Sequence, residues 1–274
     1  VSEQLQRLAG LSWPVEVEPV PGDDDGLRWR TRVQYAVTPD GRRGLRKHRS
    51  RSVVPVDDCL ITRPDARVEI EGSPAAPDVV TEHVEAAGGV HSFEVAADGF
   101  WQVHPGAPRV LVETVLDFLS PRPGDRALDL YAGVGIFSAF LADAVGLTGS
   151  VHVVEGDREA CEHAADNLAG HPVARVFRGS VDRVLAGTPA DPVDVVVLDP
   201  PREGAKRAVV QQIVERSPRA VAYVACDPAA LARDVAIFAE SGYQLVELRA
   251  FDLFPMTSHV ECVALLTKTG SDLR

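Results

Sequence analysis

No stretch of this 274-residue chain reaches the roughly 20 consecutive apolar residues that a membrane-spanning helix needs. The N-terminus, Val1-Ser2-Glu3-Gln4, lacks the basic-then-apolar order of a secretory signal. A cytoplasmic protein with no membrane partner is therefore expected. Cysteine is sparse as well. The four thiols, Cys59, Cys161, Cys226 and Cys262, form no CxxC pair, and in a cytosolic chain they read as reduced groups rather than a disulfide framework. No internal repeat or low-complexity segment stands out. A positive balance is also missing: 28 Lys and Arg against 40 Asp and Glu leave a formal charge of −12, which argues against a simple basic coat for nucleic acid.

What is present is an ordinary globular composition, 45% hydrophobic and 25% charged, with length for one large domain or two modest ones. The acidic average hides one asymmetry. Arg28, Arg30, Arg32, Arg42, Arg43, Arg46, Lys47, Arg49 and Arg51 share one stretch, opposed within it only by Asp40. That stretch is either a solvated hairpin face or, as preferred here, a patch that contacts nucleic-acid phosphates.

Two regions differ in pattern. The first hundred residues read as short strands and turns, with a strand over Trp29–Val37, a turn at Pro39-Asp40-Gly41 and a strand over Arg51–Val56. Glu71 to Asp78 reads as a linker, and Val79 to Val95 as a hairpin turning at Gly88-Gly89. From about Pro105, helical and strand segments alternate. Ala107–Leu119 has helical periodicity and stops before Pro121 and Pro123. Apolar runs follow at Ala127–Leu130, Val151–Val154, Val173–Phe177, Val193–Leu198 and Val221–Ala225, each but the last two separated by a helix. Such runs fit a mostly parallel sheet covered on both faces. Tyr243–Phe251 and Val260–Leu266 are joined by a loop too short for a crossover and are expected as an antiparallel pair at the sheet edge. The expected fold is α/β, a Rossmann-like sheet over 99–274 with a smaller β-rich unit over 1–98.

Ala127-Leu128-Asp129-Leu130-Tyr131-Ala132-Gly133-Val134-Gly135 is a strand running into a glycine turn before a helix. Glycines there let backbone approach a ligand at a helix N-terminus, although tight helix–strand packing explains a lone G-x-G equally well. Glu155 ends the next strand about 20 residues on, where ribose hydroxyls are read. No third glycine completes a dinucleotide fingerprint. The pattern resembles class I S-adenosylmethionine-dependent methyltransferases. Asp129 and Gly133 would flank the methionine portion, Tyr131 would pack nearby and Glu155 would bind the ribose. Ser180 and Asp182 are candidates for adenine contacts or merely cap the next helix.

Asp199-Pro200-Pro201 ends the fourth strand, at the edge where open α/β sheets bind ligands. A Pro-rich strand exit with an Asx turn is the plainer alternative. Related methyltransferases acting on exocyclic amines carry an aromatic after the two prolines, where this chain has Arg202. Methylation at carbon 5 of uracil needs a thiolate on carbon 6 to make carbon 5 nucleophilic, and a base to remove the carbon 5 proton afterwards. Cys226, at the end of the fifth strand, and Glu261, at the start of the last, fit those roles. Each alone is equally well read as filler.

Taken together, Gly99-Phe100-Trp101-Gln102-Val103-His104, Asp129 to Gly135, Asp199-Pro200-Pro201-Arg202, Cys226-Asp227-Pro228 through Arg233-Asp234, and Phe254-Pro255-Met256-Thr257 through Glu261 resemble the RNA uracil-C5 methyltransferases. The resemblance implies Cys226 as nucleophile and Glu261 as base, with Gln102, Tyr131, Glu155 and Asp199 holding S-adenosylmethionine and Asp199 and Arg202 near the target base. It makes 99–274 the methyltransferase domain and 1–98 an abbreviated RNA-contacting domain. Many relatives begin with a small barrel and three closely spaced cysteines that share an iron–sulfur cluster with a later fourth. Cys59 stands where that fourth ligand is expected, without partners, so the chain reads as truncated or a short form with no cluster and no metal. The expected enzyme is a monomer acting on structured RNA, ribosomal in preference to transfer RNA. The competing readings are a catalytically weak RNA-binding homologue and a small-molecule methyltransferase.

Overall fold

The computed structural model describes residues 1–47, 50–72 and 78–270. Arg49 and most of the expected 71–78 linker lie outside the described residues. The chain opens with helix α1 (Ser2–Ala9) and a three-residue strand β1 (Val17–Pro19). Strands β2 (Arg30–Val37), β3 (Arg43–Arg46), β4 (Val53–Pro55) and β5 (Thr62–Ile70) form a four-stranded sheet in the order β4-β3-β2-β5. Strands β6 (Val79–Ala86) and β7 (Gly89–Ala96) form the expected hairpin.

The remainder alternates. Helix α2 (Ala107–Leu119) leads into β8 (Arg126–Leu130), α3 (Ile136–Val145), β9 (Ser150–Glu155), α4 (Arg158–Asn167), β10 (Ala174–Arg178), α5 (Val181–Gly187) and β11 (Val195–Leu198). Helix α6 (Lys206–Glu215), β12 (Ala220–Ala225), α7 (Pro228–Glu240), β13 (Tyr243–Asp252) and β14 (Glu261–Lys268) complete it. Strands β8 to β12 pair in parallel, and β14 runs antiparallel between β12 and β13.

The central strands are apolar throughout because both faces are covered. Val195 and Val197 face the layer containing Leu111 of α2 and Phe137 of α3, whereas Val196 and Leu198 face Leu5, Val210 and Leu231 of α1, α6 and α7. This is the period of two expected of a strand, and each such buried side chain contributes about 1.5–3 kcal/mol.

The structure corrects three expectations. Helix α6 separates β11 from β12, as their parallel pairing requires. The edge beside β13 is taken by β1, which pairs with it in parallel, so β13–β14 is not itself the edge. The first residues are helical, and α1 buries Leu5 among α6 and α7 residues. Residues 2–19 therefore join the α/β layer, and the expected β-rich unit over 1–98 is not all of one piece.

Chain order puts the functional edge at one place. After β8 the chain moves outward through β9 and β10, then returns to the other side of β8 as β11. The crevice beyond the ends of β8 and β11 is the switch point where open sheets bind ligands.

Candidate active site

The turn after β8 is unusually tight. Tyr131, Gly133 and Gly135 all have positive φ, at 62°, 56° and 91°. Glycine adopts this freely, but a tyrosine there carries strain of about 1–2 kcal/mol. At Gly135 a Cβ would also come within 3.1 Å of Leu168. Glu155, at the end of β9, reaches back so that its Oε2 accepts the N–H of Gly133 at 2.7 Å and its Oε1 that of Asp157 at 2.6 Å. Below the turn, Asp129 is buried, accepts a hydrogen bond from Ser138 Oγ at 2.5 Å, and is pushed up to about 7 by burial.

Facing this turn is the segment 99–103. Between them lies a pocket lined in part by Phe100, Gln102, Tyr131, Gly133 and Asp199. Trp101 also lines it but is buried against Phe93, with ring centroids 5.9 Å apart. That makes it a wall rather than a free stacking platform. Phe100, which sequence reasoning passed over, is 77% exposed at the pocket.

Three adjacent strands bring the reactive residues together. Asp199 follows β11 and Cys226 follows β12. The antiparallel register pairs Ala225 with Cys262, which sets Glu261 level with Cys226. Glu261 is only 3% exposed, and burial, then the charge of Asp199, raises its carboxyl well above the usual range. Burial and the charge of Asp129 raise Asp199 likewise. The Cys226 thiol is pushed up by burial and then by Glu261 and Asp199, with Arg202 pulling it down. Among the described residues no basic side chain offsets the charges of Asp129, Asp199 and Glu261. Such a cluster either keeps protons or takes a cation.

Arg202 is exposed on a loop with a buried fastening. Asp234, 3% exposed on α7, accepts from the Tyr223 hydroxyl and the Ala205 N–H, both at 2.7 Å, and from the Lys206 N–H at 3.3 Å. Its carboxylate thus holds the loop following Arg202. A second fastening joins the N-terminal region to the loop before β14: buried Trp29 donates Nε1–H to the Pro255 carbonyl at 3.1 Å and meets Phe254 edge-on at 6.0 Å. The pattern of aromatic residues alone gave no signal for this long-range contact.

Residues 190–269 match the family described as tRNA (Uracil-5-)-methyltransferase, and residues 107–224 match the methyltransferase small domain. The chain is 42% identical to an uncharacterized RNA methyltransferase of Streptomyces avermitilis, across 100% of this chain and 77% of that protein. It is 30% identical to the 23S rRNA (uracil(1939)-C(5))-methyltransferase of Pseudomonas putida, across 97% of this chain and 73% of that protein. The chain belongs to the RNA uracil-C5 methyltransferase family. Its fold is that of the Pyrococcus abyssi tRNA (uracil-54, C5)-methyltransferase solved with S-adenosyl-L-homocysteine, at TM-score 0.74 and 22% identity over 97% of this chain and 81% of that one.

As a member of the RNA uracil-C5 methyltransferase family, the protein is an S-adenosylmethionine-dependent RNA methyltransferase. The pocket suits that cofactor, since its ammonium and sulfonium are cations and Asp199, the buried carboxyl lining the pocket, meets no offsetting basic side chain among the described residues. Gln102, Tyr131, Gly133 and Asp199 line this pocket, and Glu155 reaches it through its bond to the Gly133 N–H. Ser180 occupies the exposed N-cap position of α5 without a side-chain hydrogen bond to the helix backbone, and a hydrogen bond from it holds Asp182 below the usual carboxylate range. Cys161 and Cys262 are buried, and all four thiols are free. Cys59 sits in the turn before β5, where its carbonyl accepts from Arg28 at 3.1 Å.

In this family member the basic stretch is less free than its sequence implies. Arg28 is paired with Asp58 at 2.7 Å, Arg42 with Asp57 at 3.2 Å and Arg46 with Glu71 at 2.7 Å. Arg43 reaches the Asp57 carbonyl at 2.5 Å and lies over the Tyr35 ring. Lys47 and Arg51 stay exposed. Among the described residues no helix is long and apolar enough to cross a membrane.

Proposed function

We propose that this methyltransferase modifies carbon 5 of a uridine in structured RNA through a covalent adduct between Cys226 and carbon 6. The observation that carries this reading is the β12–β14 register, which sets Glu261 level with Cys226 beside Asp199. When bound, S-adenosylmethionine supplies an electrophilic methyl group. Cys226 gives up its proton to water and its Sγ bonds to carbon 6, which shifts the carbon 5–carbon 6 electron pair to carbon 5 as an enolate. After methylation Glu261 takes the carbon 5 proton, the Sγ–carbon 6 bond breaks, and the ring double bond is restored with Cys226 free. Arg202 favours the thiolate and contacts the extruded base, and Asp199 orients cofactor and base.

We further assign residues 99–274 to catalysis and the N-terminal strands to RNA contact, in a monomeric enzyme. Ribosomal RNA is favoured as substrate because the Pseudomonas putida relative is a 23S rRNA (uracil(1939)-C(5))-methyltransferase. The test is a covalent cross-link to RNA containing 5-fluorouridine, in which no carbon 5 proton can be removed. Wild type forms a denaturation-resistant adduct and Cys226→Ala forms none. Turnover without any adduct would sink the covalent route.

A further inference from the structure

Away from the pocket, three side chains from separate parts of the chain converge. His91 on β7, Asp143 on the last turns of α3 and His171 before β10 each bring one ligand atom to within 4.8 Å of the others. Nε2 of His91 lies 2.8 Å from Oδ2 of Asp143, and Nδ1 of His171 lies 3.5 Å from Oδ1. The side chains of His91 and His171 are 17% and 19% exposed, whereas that of Asp143 is 52% exposed. Two largely buried imidazoles thus face a carboxylate with one side open to water. Phe140 fixes the His91 ring edge-on at 4.6 Å.

We propose that His91, Asp143 and His171 form a structural site for a divalent transition-metal ion of the zinc type, fastening the β6–β7 hairpin to α3. Imidazole nitrogen and carboxylate oxygen are ligands for such ions, and three protein ligands leave a fourth position for water. Bonds of about 2.0–2.1 Å place neighbouring tetrahedral ligands roughly 3.3 Å apart; His91 Nε2 stands 2.8 Å from Asp143 Oδ2 and His171 Nδ1 stands 3.5 Å from the other oxygen, Oδ1, with one ligand atom of each residue within 4.8 Å of the others. The widest separation closes on binding.

The site's position indicates a structural ion. Asp143 lies eight residues beyond Gly135, or about 12 Å along the helix, so the ion sits at the end of α3 remote from the cofactor turn. The hairpin it would hold also carries Phe93, against which the pocket-wall residue Trp101 packs. The hairpin is already tethered on its other side, where Asn167 Oδ1 accepts the Glu94 N–H at 2.8 Å and Asn167 Nδ2 donates to the Glu94 carbonyl at 3.1 Å. An ion would complete the attachment.

The experiment strips the full chain with a chelator, adds zinc chloride, and reads bound metal by elemental mass spectrometry and thermal stability. Wild type takes up one equivalent that His91→Gln/His171→Gln does not, and zinc raises the melting temperature of wild type alone. Asp143→Asn, at the exposed ligand, weakens uptake at least about tenfold and serves if the histidine variant fails to fold. The cobalt derivative shows no thiolate charge-transfer band, which separates this site from the four cysteines. Equal zinc uptake by wild type and variants, a thiolate band, or no uptake at all would overturn the proposal and leave a hydrogen-bonded His–Asp–His group.

Discussion

Asp234 takes the Tyr223 hydroxyl and the Ala205 N–H on the same oxygen, each at 2.7 Å. That oxygen sits at the N-terminus of α6, so its charge also meets the positive end of the helix. Asp199 comes shortly before Ala205 in the chain and Cys226 shortly after Tyr223, and the loop between Arg202 and α6 is held by this fastening. Gly204 shows how closely: its φ is +82°, and a Cβ there would come within 2.6 Å of Asp234 Oδ2.

Gly204→Ala is therefore expected to destabilise the fold by about 1–3 kcal/mol, from positive-φ strain and overpacking combined. Tyr223→Phe removes one of the donors to Asp234 and costs about 1 kcal/mol. Denaturant midpoints measure both. If Gly204→Ala matches wild type, the loop is free to move and Asp234 does not fasten it.

Asp129 gives the unliganded protein a distinctive pH dependence. Its carboxyl is pushed up to about 7 from an ordinary value of 3.8, so folding favours the protonated form. Its contribution is fully present below the unfolded value and is lost as pH rises through about 7. Asp199 and Glu261 shift in the same direction. Unliganded stability should thus decline between about pH 4 and 7. A cationic cofactor binds best to the ionised cluster, so the rise in melting temperature with S-adenosylmethionine should be larger at pH 8 than at pH 5.5. Asp199→Asn should reduce that difference, and a cofactor shift independent of pH would rule out the charge argument.

Glu261→Gln separates the two halves of the proposed chemistry. The amide cannot take a proton from carbon 5, yet the thiol attack precedes that step. The variant should accumulate adduct with ordinary uridine RNA while turnover falls at least about 100-fold. The adduct would show as a protein–RNA band on a denaturing gel. Normal turnover by this variant would remove Glu261 from the mechanism.

Much of this edge was legible in the chain because short-range patterns carry it. The runs at Ala127–Leu130 and Val221–Ala225 became β8 and β12 almost residue for residue, since strands buried on both faces have no polar alternation to obscure them. Cys226 and Glu261 are joined by the two roles that methylation at carbon 5 needs and by the family resemblance, whereas the β12–β14 pairing that sets them level is long-range. What escaped was long-range. Strand β1 has three residues and exists only through its pairing with β13, and α6 was masked by the prolines at 200, 201 and 218. Trp29 reads as one more strand aromatic until its bond to Pro255 is seen.

The same distinction governs the basic stretch. Counted along the sequence, Arg28 to Arg51 meets only Asp40, but folding returns Asp57, Asp58 and Glu71 to Arg42, Arg28 and Arg46. Exposed pairs of this kind are weak and screened by salt, so they blunt the field without forbidding exchange for phosphate. Lys47 and Arg51 need no such exchange. Replacing both with Glu should weaken binding of a structured RNA and lower the slope of log K against log salt by about 1–2, one contact each. Arg42→Glu should change the slope less, because its charge is already partly spent on Asp57. Filter binding across a salt series measures these slopes, and equal effects from the paired and unpaired positions would mean that RNA opens the ion pairs fully.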